Sequence, residues 1–487
     1  MKKREHVLVV DFGSSNVRAC LIDVENGADS AMCSRPLRTE YRHSSWAEMS
    51  PEHIWRSAQS AVFGALERSS EDVEIVALTF SFMGHSLILA DEDLNPLGNL
   101  LVSFDSRALR EAEVLRERIG DAAFRRITGA RLDERLICSK ALWFLTHDER
   151  AKREDAHLIN LQQFILAKLG LPPLLDYTLA ATTSFLDIGE MTLSQTMLSA
   201  VGVDARKLCA QVHAATHIAG RVRRFGEVEL PGEIPVIIGT HDAECGFLGL
   251  GIEPMGGDAL GEICGTYEIF GSFVPMSHQR SELAGIEYIA APFGNGYVLG
   301  NSVISGAYIE WFRDKFAGVP KEEFFERFNR GVTFDGQNAV RFIPEAHQSA
   351  SELRGLELST GAGEIYAAII EGITFRLCEI ERNLERALGR PFACVRCGGG
   401  GAKFDKWLQL KADLYSRKVE RVSNSEVSCV GAAILACLST GIYGSYAEAR
   451  ERMVRVTGTY LPRPEMTERY HQAFQRWKEI QFTDGVV

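Results

Sequence analysis

The chain has 487 residues, of which 46% are hydrophobic and 24% charged; this composition is typical of a globular protein and excludes a disordered, collagen-like or coiled-coil chain. It carries 53 Lys and Arg against 65 Asp and Glu, a formal net charge of −12, which is a poor match for binding nucleic acid or an anionic membrane surface. Its 11 irregularly spaced cysteines indicate buried, reduced thiols, and the longest apolar run is too short to cross a bilayer. We therefore expect a cytoplasmic protein of two or three domains, with no nucleic-acid partner and no membrane partner.

The first elements predict a β-hairpin followed by alternating strands and helices. Apolar strands at 7–10 and 17–23 flank a turn of small polar residues. Ser50 and Pro51 are typical of a helix start, with Ser as the cap and Pro in the first turn. Buried strands follow at 74–81 and 86–91. This alternation favours an α/β fold.

A second series of elements begins with the apolar strand 235–238. Strands are predicted on both sides of residues 265–266, and a strand near Val395 leads through a glycine run into a helix over 405–415. A second apolar helix is predicted to open at the Gly-Ala-Ala of residues 431–433. A polar glycine turn thus follows a strand twice, which indicates two similar lobes around a cleft. We place the domains at 1–245 and 246–487.

Two turns have the composition needed to hold phosphate groups. Small polar residues lie between two strands in both: Asp11, Gly13, Ser14, Ser15 and Asn16 in the first, Gly265 and Thr266 in the second. Glycine lets backbone N–H groups approach a phosphate closely, and the hydroxyls add donors. The carboxylate of Asp11 could hold a hydrated Mg²⁺ between phosphates. Each turn could equally be an ordinary hairpin turn.

The four glycines at 398–401 precede a predicted helix. They permit close backbone approach to a ligand, with the positive end of the helix dipole behind it. The residues that follow do not fit a P-loop, because Ala402 and Lys403 stand where that motif has Lys and Ser or Thr. The alternative is a flexible loop between strand and helix.

Asp242 comes directly after an apolar strand, where an α/β cleft presents a catalytic carboxylate. It could instead cap the next helix. A metal site formed with His241, Glu244 and Cys245 is a further alternative, disfavoured because neighbouring helical residues point in different directions.

His85, Asp105 and Arg107 form a polar set in the first half of the chain. Exposed polyol hydroxyls need fixed donors and acceptors of this kind, although a surface loop with a helix cap would look the same at 105–107. The pair Cys394 and Cys397 is interpreted as two core thiols on a strand rather than a redox or zinc motif.

Taken in chain order, these motifs resemble the FGGY carbohydrate kinases of the actin/Hsp70/hexokinase ATPase superfamily. The similar segments extend over nearly the whole chain: 11–18, 45–55, 81–86, 105–107, 176–187, 242, 265–266, 399–413 and 431–433. The chain departs from the family pattern at 82–84, at Ser103, at Phe404 and at 345–348. His241 before Asp242, together with 265–268, is closer to the deoxysugar kinases.

The resemblance implies two ribonuclease-H-like (actin-like ATPase) domains flanking a catalytic cleft. It implies transfer of the γ-phosphoryl group of ATP, with Mg²⁺, to a hydroxyl of a small sugar. The expected acceptor is a ketopentose such as xylulose or a 6-deoxyketohexose such as fuculose, with a polyol such as glycerol as a further candidate. An actin-like ATPase or a nucleotide-dependent regulator without sugar kinase activity is the alternative. A homodimer is a family-level expectation.

The resemblance also implies residue roles. Asp242 is the expected catalytic base. Phosphate binding is expected at Asp11, Gly13, Ser14, Ser15, Asn16, Arg18, Gly265 and Thr266. Nucleotide binding is expected at Gly306, Gly399, Gly400, Gly401, Ala402 and Lys403. Sugar binding is expected at Gly84, His85, Asp105, Arg107 and Asp242, and metal binding at Asp11 and Asp242.

Overall fold

The computed structural model describes residues 3–43, 45–70, 72–283, 285–344 and 351–482. The first half of the chain forms the N-lobe. Its elements are β1 (Arg4–Phe12), β2 (Asn16–Asp23), β3 (Asp29–Pro36), β4 (Glu40–His43), β5 (Trp46–Met49), α1 (Pro51–Glu67), β6 (Val73–Phe82), β7 (Ile88–Ala90), β8 (Leu100–Leu101), α2 (Leu109–Ile119), α3 (Asp121–Thr128), α4 (Ile137–His147), β9 (His157–Ile159), α5 (Leu161–Lys168), β10 (Leu175–Asp176), α6 (Tyr177–Thr182), β11 (Leu186–Asp187), β12 (Thr192–Leu193), α7 (Gln195–Val201), β13 (Val212–His213), β14 (Ile218–Phe225), β15 (Val228–Ile237), β16 (Thr240–His241) and α8 (Asp242–Gly249).

The second half forms the C-lobe. Its elements are β17 (Ala259–Cys264), β18 (Tyr267–Pro275), β19 (Glu287–Ala290), β20 (Gly296–Ile304), α9 (Gly306–Lys315), α10 (Lys321–Phe324), β21 (Arg341–Ile343), β22 (Glu352–Arg354), α11 (Ala362–Leu388), β23 (Cys394–Gly398), α12 (Asp405–Tyr415), β24 (Lys418–Val422), α13 (Val427–Thr440), α14 (Tyr446–Met453), β25 (Val456–Tyr460) and α15 (Pro464–Phe482).

The main sheet of the N-lobe has the strand order β14-β15-β6-β1-β2-β3, and β16 also pairs with β6. Strands β1, β2 and β3 are antiparallel neighbours, whereas β6 runs parallel to β1. Helix α1 packs against β2 and β3. It begins where the sequence predicts, because the Ser50 hydroxyl accepts a hydrogen bond from the backbone N–H of His53 at 3.2 Å.

The main sheet of the C-lobe repeats this arrangement, with the strand order β19-β20-β18-β17-β23-β24-β25. Strands β17, β18 and β20 are antiparallel neighbours, and β23 runs parallel to β17. The hairpin β1-β2 and its parallel neighbour β6 therefore correspond to β17-β18 and β23. The predicted duplication is confirmed by the strand pairing of the two sheets.

Helices α8 and α13 cross closely between the two sheets. A Cβ atom on Gly431 would lie 1.7 Å from the Cys245 carbonyl oxygen, and one on Gly249 would lie 1.9 Å from that of Val427. Only glycine allows this approach. Helix α13 begins at Val427, so Gly431 lies in its second turn. The prediction that residues 431–433 open this helix was therefore wrong, because their glycine serves the helix crossing and not the helix start.

The predicted domain boundary at 245–246 falls inside α8, and it stays a prediction. All 11 cysteines are free, and Cys394 and Cys397 are buried on β23 as expected. Among the helices of the described ranges, none combines the length and apolar character needed to cross a membrane.

Candidate active site

The first predicted phosphate turn joins β1 to β2. The backbone N–H of Gly13 donates to the carbonyl of Asn16 at 3.0 Å, which closes a tight turn. Ser14 and Ser15 are exposed at its tip, and Asn16 is half-buried. The hydroxyls and backbone of the turn are thus available to a ligand.

Asp11 lies at the end of β1 and is buried. One of its carboxylate oxygens accepts from the Ser81 hydroxyl at 2.7 Å, and the other accepts from Arg18 at 3.1 Å. Burial raises the pKa of Asp11, although Arg18 opposes the shift. Arg18 also lies 3.7 Å from Glu426 of the C-lobe, so its charge faces one carboxylate from each lobe.

Three strands bring Asp11 and Asp242 to one edge of the sheet. Asp11 of β1 is the register partner of Ser81 on β6, and Ser81 is the partner of Thr240 on β16. Because these strands are parallel, their carboxyl ends meet at the same edge, where α/β sheets bind ligands. Asp242 begins α8 directly after β16.

Asp242 combines partial exposure with a raised pKa. Its side chain is 36% exposed. Desolvation raises the pKa of Asp242 to about 6; His241 opposes the shift, and Asp11 and Glu244 add to it. A carboxylate that is accessible and titrates near neutrality has the properties of a general base.

His241 occupies the cap position of α8 and makes no side-chain capping bond, and Asp242 is the first helical residue. The ring Nδ1 of His241 lies 2.5 Å from a Glu244 oxygen, and Nε2 lies 3.2 Å from Asp242. Burial lowers the pKa of His241, but the two carboxylates outweigh it and raise the pKa to about 9. His241 and Glu244 meet because residues three apart share a helix face, whereas adjacent helical residues point in different directions.

Gly84 and His85 lie against this group. A Cβ atom on Gly84 would lie 2.6 Å from His241 Nε2, so only glycine fits there without displacing the ring. His85 has a left-handed backbone conformation with φ of 53°. Its buried Nδ1 has no hydrogen-bond partner among the described residues. Burial, His241 and Lys140 lower the pKa of His85 to about 3, which leaves a neutral ring near His241.

Asp105 and Arg107 are less accessible than the sequence suggested. Asp105 is fully buried and accepts from the backbone N–H of Ala47 at 2.7 Å. Arg107 donates to Asp105 at 2.8 Å and to Glu48 at 2.7 Å, and its guanidinium lies 4.2 Å from the centre of the Trp46 ring. Their contact with a sugar stays a prediction; the contacts observed here hold two segments of the N-lobe together.

Lys140 on α4 is a residue that the sequence analysis missed. Its fully buried ammonium donates to the carbonyls of Val102 at 2.6 Å and His85 at 3.1 Å. Val102 in turn accepts from the backbone N–H of Asp105 at 3.1 Å. Lys140 therefore joins two predicted sugar segments. The sequence signal that could have identified Lys140 is a single lysine inside the apolar segment 137–145. A lysine buried in such a helix needs fixed oxygen partners.

The second predicted phosphate turn joins β17 to β18 and exposes Gly265 and Thr266. The backbone N–H of Ser305 donates to the Thr266 carbonyl at 3.0 Å, and that of Gly306 donates to the Gly265 carbonyl at 3.1 Å. A Cβ atom on Gly306 would lie 2.5 Å from the Gly265 oxygen. Gly306 therefore supports the turn directly.

The glycine run packs against the same turn. Gly399 has a φ of 96°, and a Cβ atom there would lie 2.5 Å from the carbonyl oxygen of Cys264, the residue before Gly265. A short 3-10 turn, Gly401–Lys403, follows and leads into α12, with Ala402 buried and Lys403 exposed. Gly400 has open space around it. The structure thus brings the second turn, Gly306 and the glycine run together at one end of the C-lobe sheet.

The structure describes one of two departures from the family pattern in the C-lobe, Phe404, but not the other, at 345–348. Phe404 is buried, and its ring faces Phe334 at 6.1 Å. The predicted departure at 345–348 lies outside the described residues.

Family models and curated relatives of this chain all point to one family of kinases. The family of carbohydrate kinases named FGGY matches through its N-terminal domain over residues 6–249 and through its C-terminal domain over residues 285–440. A xylulose kinase of Bacillus subtilis is 26% identical over 495 residues, covering 98% of this chain and 96% of the relative. A glycerol kinase of Streptococcus pyogenes is 23% identical over 503 residues, with the same coverage.

Solved structures share the whole fold. Gluconate kinase from Lactobacillus acidophilus has a TM-score of 0.86 and 21% identity, covering 98% of both chains. Plasmodium falciparum glycerol kinase with ADP has a TM-score of 0.85 and 18% identity, covering 99% of both chains. The predicted α/β fold of two actin-like ATPase domains is confirmed. The chain therefore belongs to the FGGY family of carbohydrate kinases, and it is a phosphotransferase that uses ATP and an alcohol group of a sugar or polyol.

Proposed function

We propose that this kinase transfers the γ-phosphoryl group of ATP to a hydroxyl of a ketopentose such as xylulose or of a 6-deoxyketohexose such as fuculose. The observation that carries the proposal is the position of Asp242. This partly exposed carboxylate, with a pKa of about 6, lies beside His241 and at the same sheet edge as Asp11 of the first phosphate turn.

In this proposal Asp242 accepts the proton of the attacking sugar hydroxyl. The turns at 13–16 and 265–266 hold the β- and γ-phosphates from opposite lobes, and Arg18, Gly306 and residues 399–403 complete the nucleotide site. Phosphoryl transfer depends on positioning and charge neutralisation more than on covalent chemistry. A site divided between two lobes is suited to exclude the water that would otherwise accept the phosphoryl group.

A magnesium ion fits the residues present. Asp11 and Asp242 offer carboxylate oxygens, the ligands that Mg²⁺ prefers, and Mg²⁺ is usually held by one or two carboxylates together with substrate phosphates. The bound ion would neutralise phosphate charge. We assign the ion to these two residues.

The acceptor is proposed from two separate observations. A xylulose kinase is among the relatives, which supports a ketopentose. The pair of His241 and Asp242 resembles the deoxysugar kinases, which supports a 6-deoxyketohexose. Gly84 and the neutral His85 lie against this pair, so they are proposed to contact the sugar.

The test is an ADP-release assay with ATP and Mg²⁺ against ketoses, deoxysugars, polyols and sugar acids, with Asp242→Ala as the control. We expect one strong acceptor, and a turnover that falls in the variant by roughly 10²- to 10⁴-fold while ADP binding is retained. ATP turnover that is indifferent to every acceptor and survives in Asp242→Ala would support an actin-like ATPase or regulator instead.

We also propose a cytoplasmic homodimer. The 11 free cysteines fit a reducing compartment, and the dimer is a family-level expectation. Light scattering coupled to size-exclusion chromatography gives the oligomeric state directly.

A further inference from the structure

A buried ionic cluster lies beneath the second phosphate turn. The ammonium of Lys411 on α12 lies 2.8 Å from Glu262 and 2.7 Å from Glu268. None of the three side chains is more than 1% exposed. We call these three residues the Lys411 cluster.

The two carboxylates come from both strands of one hairpin. Glu262 lies on β17 and Glu268 on β18, and the exposed Gly265 and Thr266 lie between them. A single ammonium therefore holds the two strands on either side of the turn.

The cluster also reaches the other two segments of the nucleotide site. Glu268 accepts from the Ser305 hydroxyl at 3.1 Å, and the backbone of Ser305 and Gly306 donates to the turn. Glu262 accepts from the Cys397 thiol at 3.1 Å, and Cys397 directly precedes the glycine run. The 265–266 turn, Gly306 and the glycine run are thus all linked to the Lys411 cluster.

Stability alone does not account for a buried ionic cluster, because hydrophobic side chains of similar volume often stabilise a core as well or better. Glu262, Cys264 and Cys397 could offer ligands to a metal ion, but Lys411 already supplies a cation to Glu262 and lies 3.7 Å from Cys264. The ring of Trp407 lies 4.4 Å from the same ammonium. The lysine is therefore enclosed by partners that fix its position.

We propose that Lys411 is a positioning residue for the nucleotide phosphates, acting through Glu262 and Glu268 to hold the 265–266 turn. This inference rests on the proposed role of that turn in binding ATP. It assigns Lys411 no contact with the substrate.

The test uses Lys411→Met and the triple variant Lys411→Met/Glu262→Gln/Glu268→Gln. The triple variant keeps the shape of the cluster and leaves no uncompensated buried charge, which is the main risk of the single variant. ADP and ATP binding is measured by calorimetry without sugar, together with KM values for ATP and for the sugar. We expect the triple variant to fold and to bind both nucleotides at least about tenfold more weakly, with the KM for the sugar unchanged.

Arg417→Met is the matched control. Arg417 forms a partly buried ion pair of the same lobe, at 2.8 Å from Glu381 and 2.5 Å from Glu385 on α11. We expect it to lower the melting temperature without changing nucleotide affinity.

Nucleotide affinity equal to wild type in the folded triple variant would overturn the inference, as would an equal rise in both KM values. If the triple variant does not fold, ADP binding by Ser305→Ala tests the inference instead. This variant removes only the hydroxyl that donates a hydrogen bond to Glu268. Weaker ADP binding supports the inference, and unchanged ADP binding overturns it. Calorimetry without sugar also separates the role of Lys411 from the proposed sugar kinase activity. A wild type that binds ADP but phosphorylates no acceptor would contradict the sugar kinase proposal and leave the role of Lys411 in nucleotide binding standing.

Discussion

Two buried basic side chains of the N-lobe each join two segments of the predicted sugar site. Lys140 joins the carbonyls of His85 and Val102, and Arg107 joins Asp105 to Glu48. A charge taken out of water is costly unless it is hydrogen-bonded. Each of these residues therefore constrains its neighbours more strictly than an apolar side chain would.

Lys140→Met should weaken sugar binding selectively. The variant removes the Lys140 hydrogen bond to the His85 carbonyl, at a cost of roughly 1–3 kcal/mol for that group. The Val102 carbonyl loses the same donor but keeps its hydrogen bond from the backbone N–H of Asp105. We expect the KM for the sugar to rise and ADP affinity to stay at the wild-type value. Steady-state kinetics and ADP calorimetry check this, with the exposed Lys152→Met as control. Equal losses in both substrates would show that Lys140 only stabilises the fold.

Glu371 should make stability depend on pH. It is buried on α11, and desolvation raises its pKa from 4.5 to about 7, although Arg341 opposes the shift. The folded state therefore favours the protonated form, so the stabilisation is complete below pH 4.5 and is lost as pH rises through about 7.

Glu371→Gln mimics the protonated form. We expect it to be as stable as wild type at pH 4.5 and more stable at pH 8, by up to roughly 3 kcal/mol. Melting temperatures at both pH values measure this, with the exposed Glu468→Gln as control. A variant less stable than wild type at pH 8 would contradict the assignment.

At the scale of elements, glycines decide how closely the pieces of the site approach each other. Gly399 packs on the strand end before the 265–266 turn, and Gly306 packs on the turn itself. Gly249 and Gly431 allow α8 and α13 to cross with their backbones in contact. Asp242 is the first residue of α8, so this crossing also fixes the helix that carries the proposed catalytic base.

Gly431→Ala should destabilise the enzyme. The new methyl group would lie 1.7 Å from the Cys245 carbonyl oxygen, so the helices must separate, at a cost of roughly 1–3 kcal/mol or more. Gly363→Ala on α11 is the matched control, because its methyl group would meet no atom within 4 Å. Thermal unfolding compares the two variants. Equal melting temperatures would contradict the close crossing.

The whole molecule has a core shared between its lobes. One buried cluster contains Val7 of β1, Phe247 of α8, Phe273 of β18 and Ile434 of α13. Helix α13 belongs to the C-lobe by sequence, yet it packs against β1 and β6 of the N-lobe. Neither lobe can therefore lose its structure without exposing apolar surface of the other.

Thermal unfolding should accordingly be one cooperative transition. Differential scanning calorimetry is expected to give a single peak for the wild type, and Gly431→Ala should shift that peak without splitting it. Two separated peaks would show that the lobes unfold independently.

The sequence by itself determined the features that depend on neighbouring residues. The hairpin around residues 13–16, the start of α1 at Pro51 and helix α12 over Asp405–Tyr415 lie where they were predicted. Capping, turn chemistry and hydrophobic periodicity act over a few positions. The order of the motifs was sufficient to indicate the family and the duplicated fold.

Only the tertiary structure decided which of these residues meet. Lys140 and His85 are 55 positions apart, and Lys411 and Glu262 are 149 apart, so no local pattern predicts their contact. The burial of Asp105 and the position of Gly431 inside α13 were likewise invisible, because both depend on partners from other elements. Packing brings distant groups together, and the pKa values and constraints at this site follow from that packing.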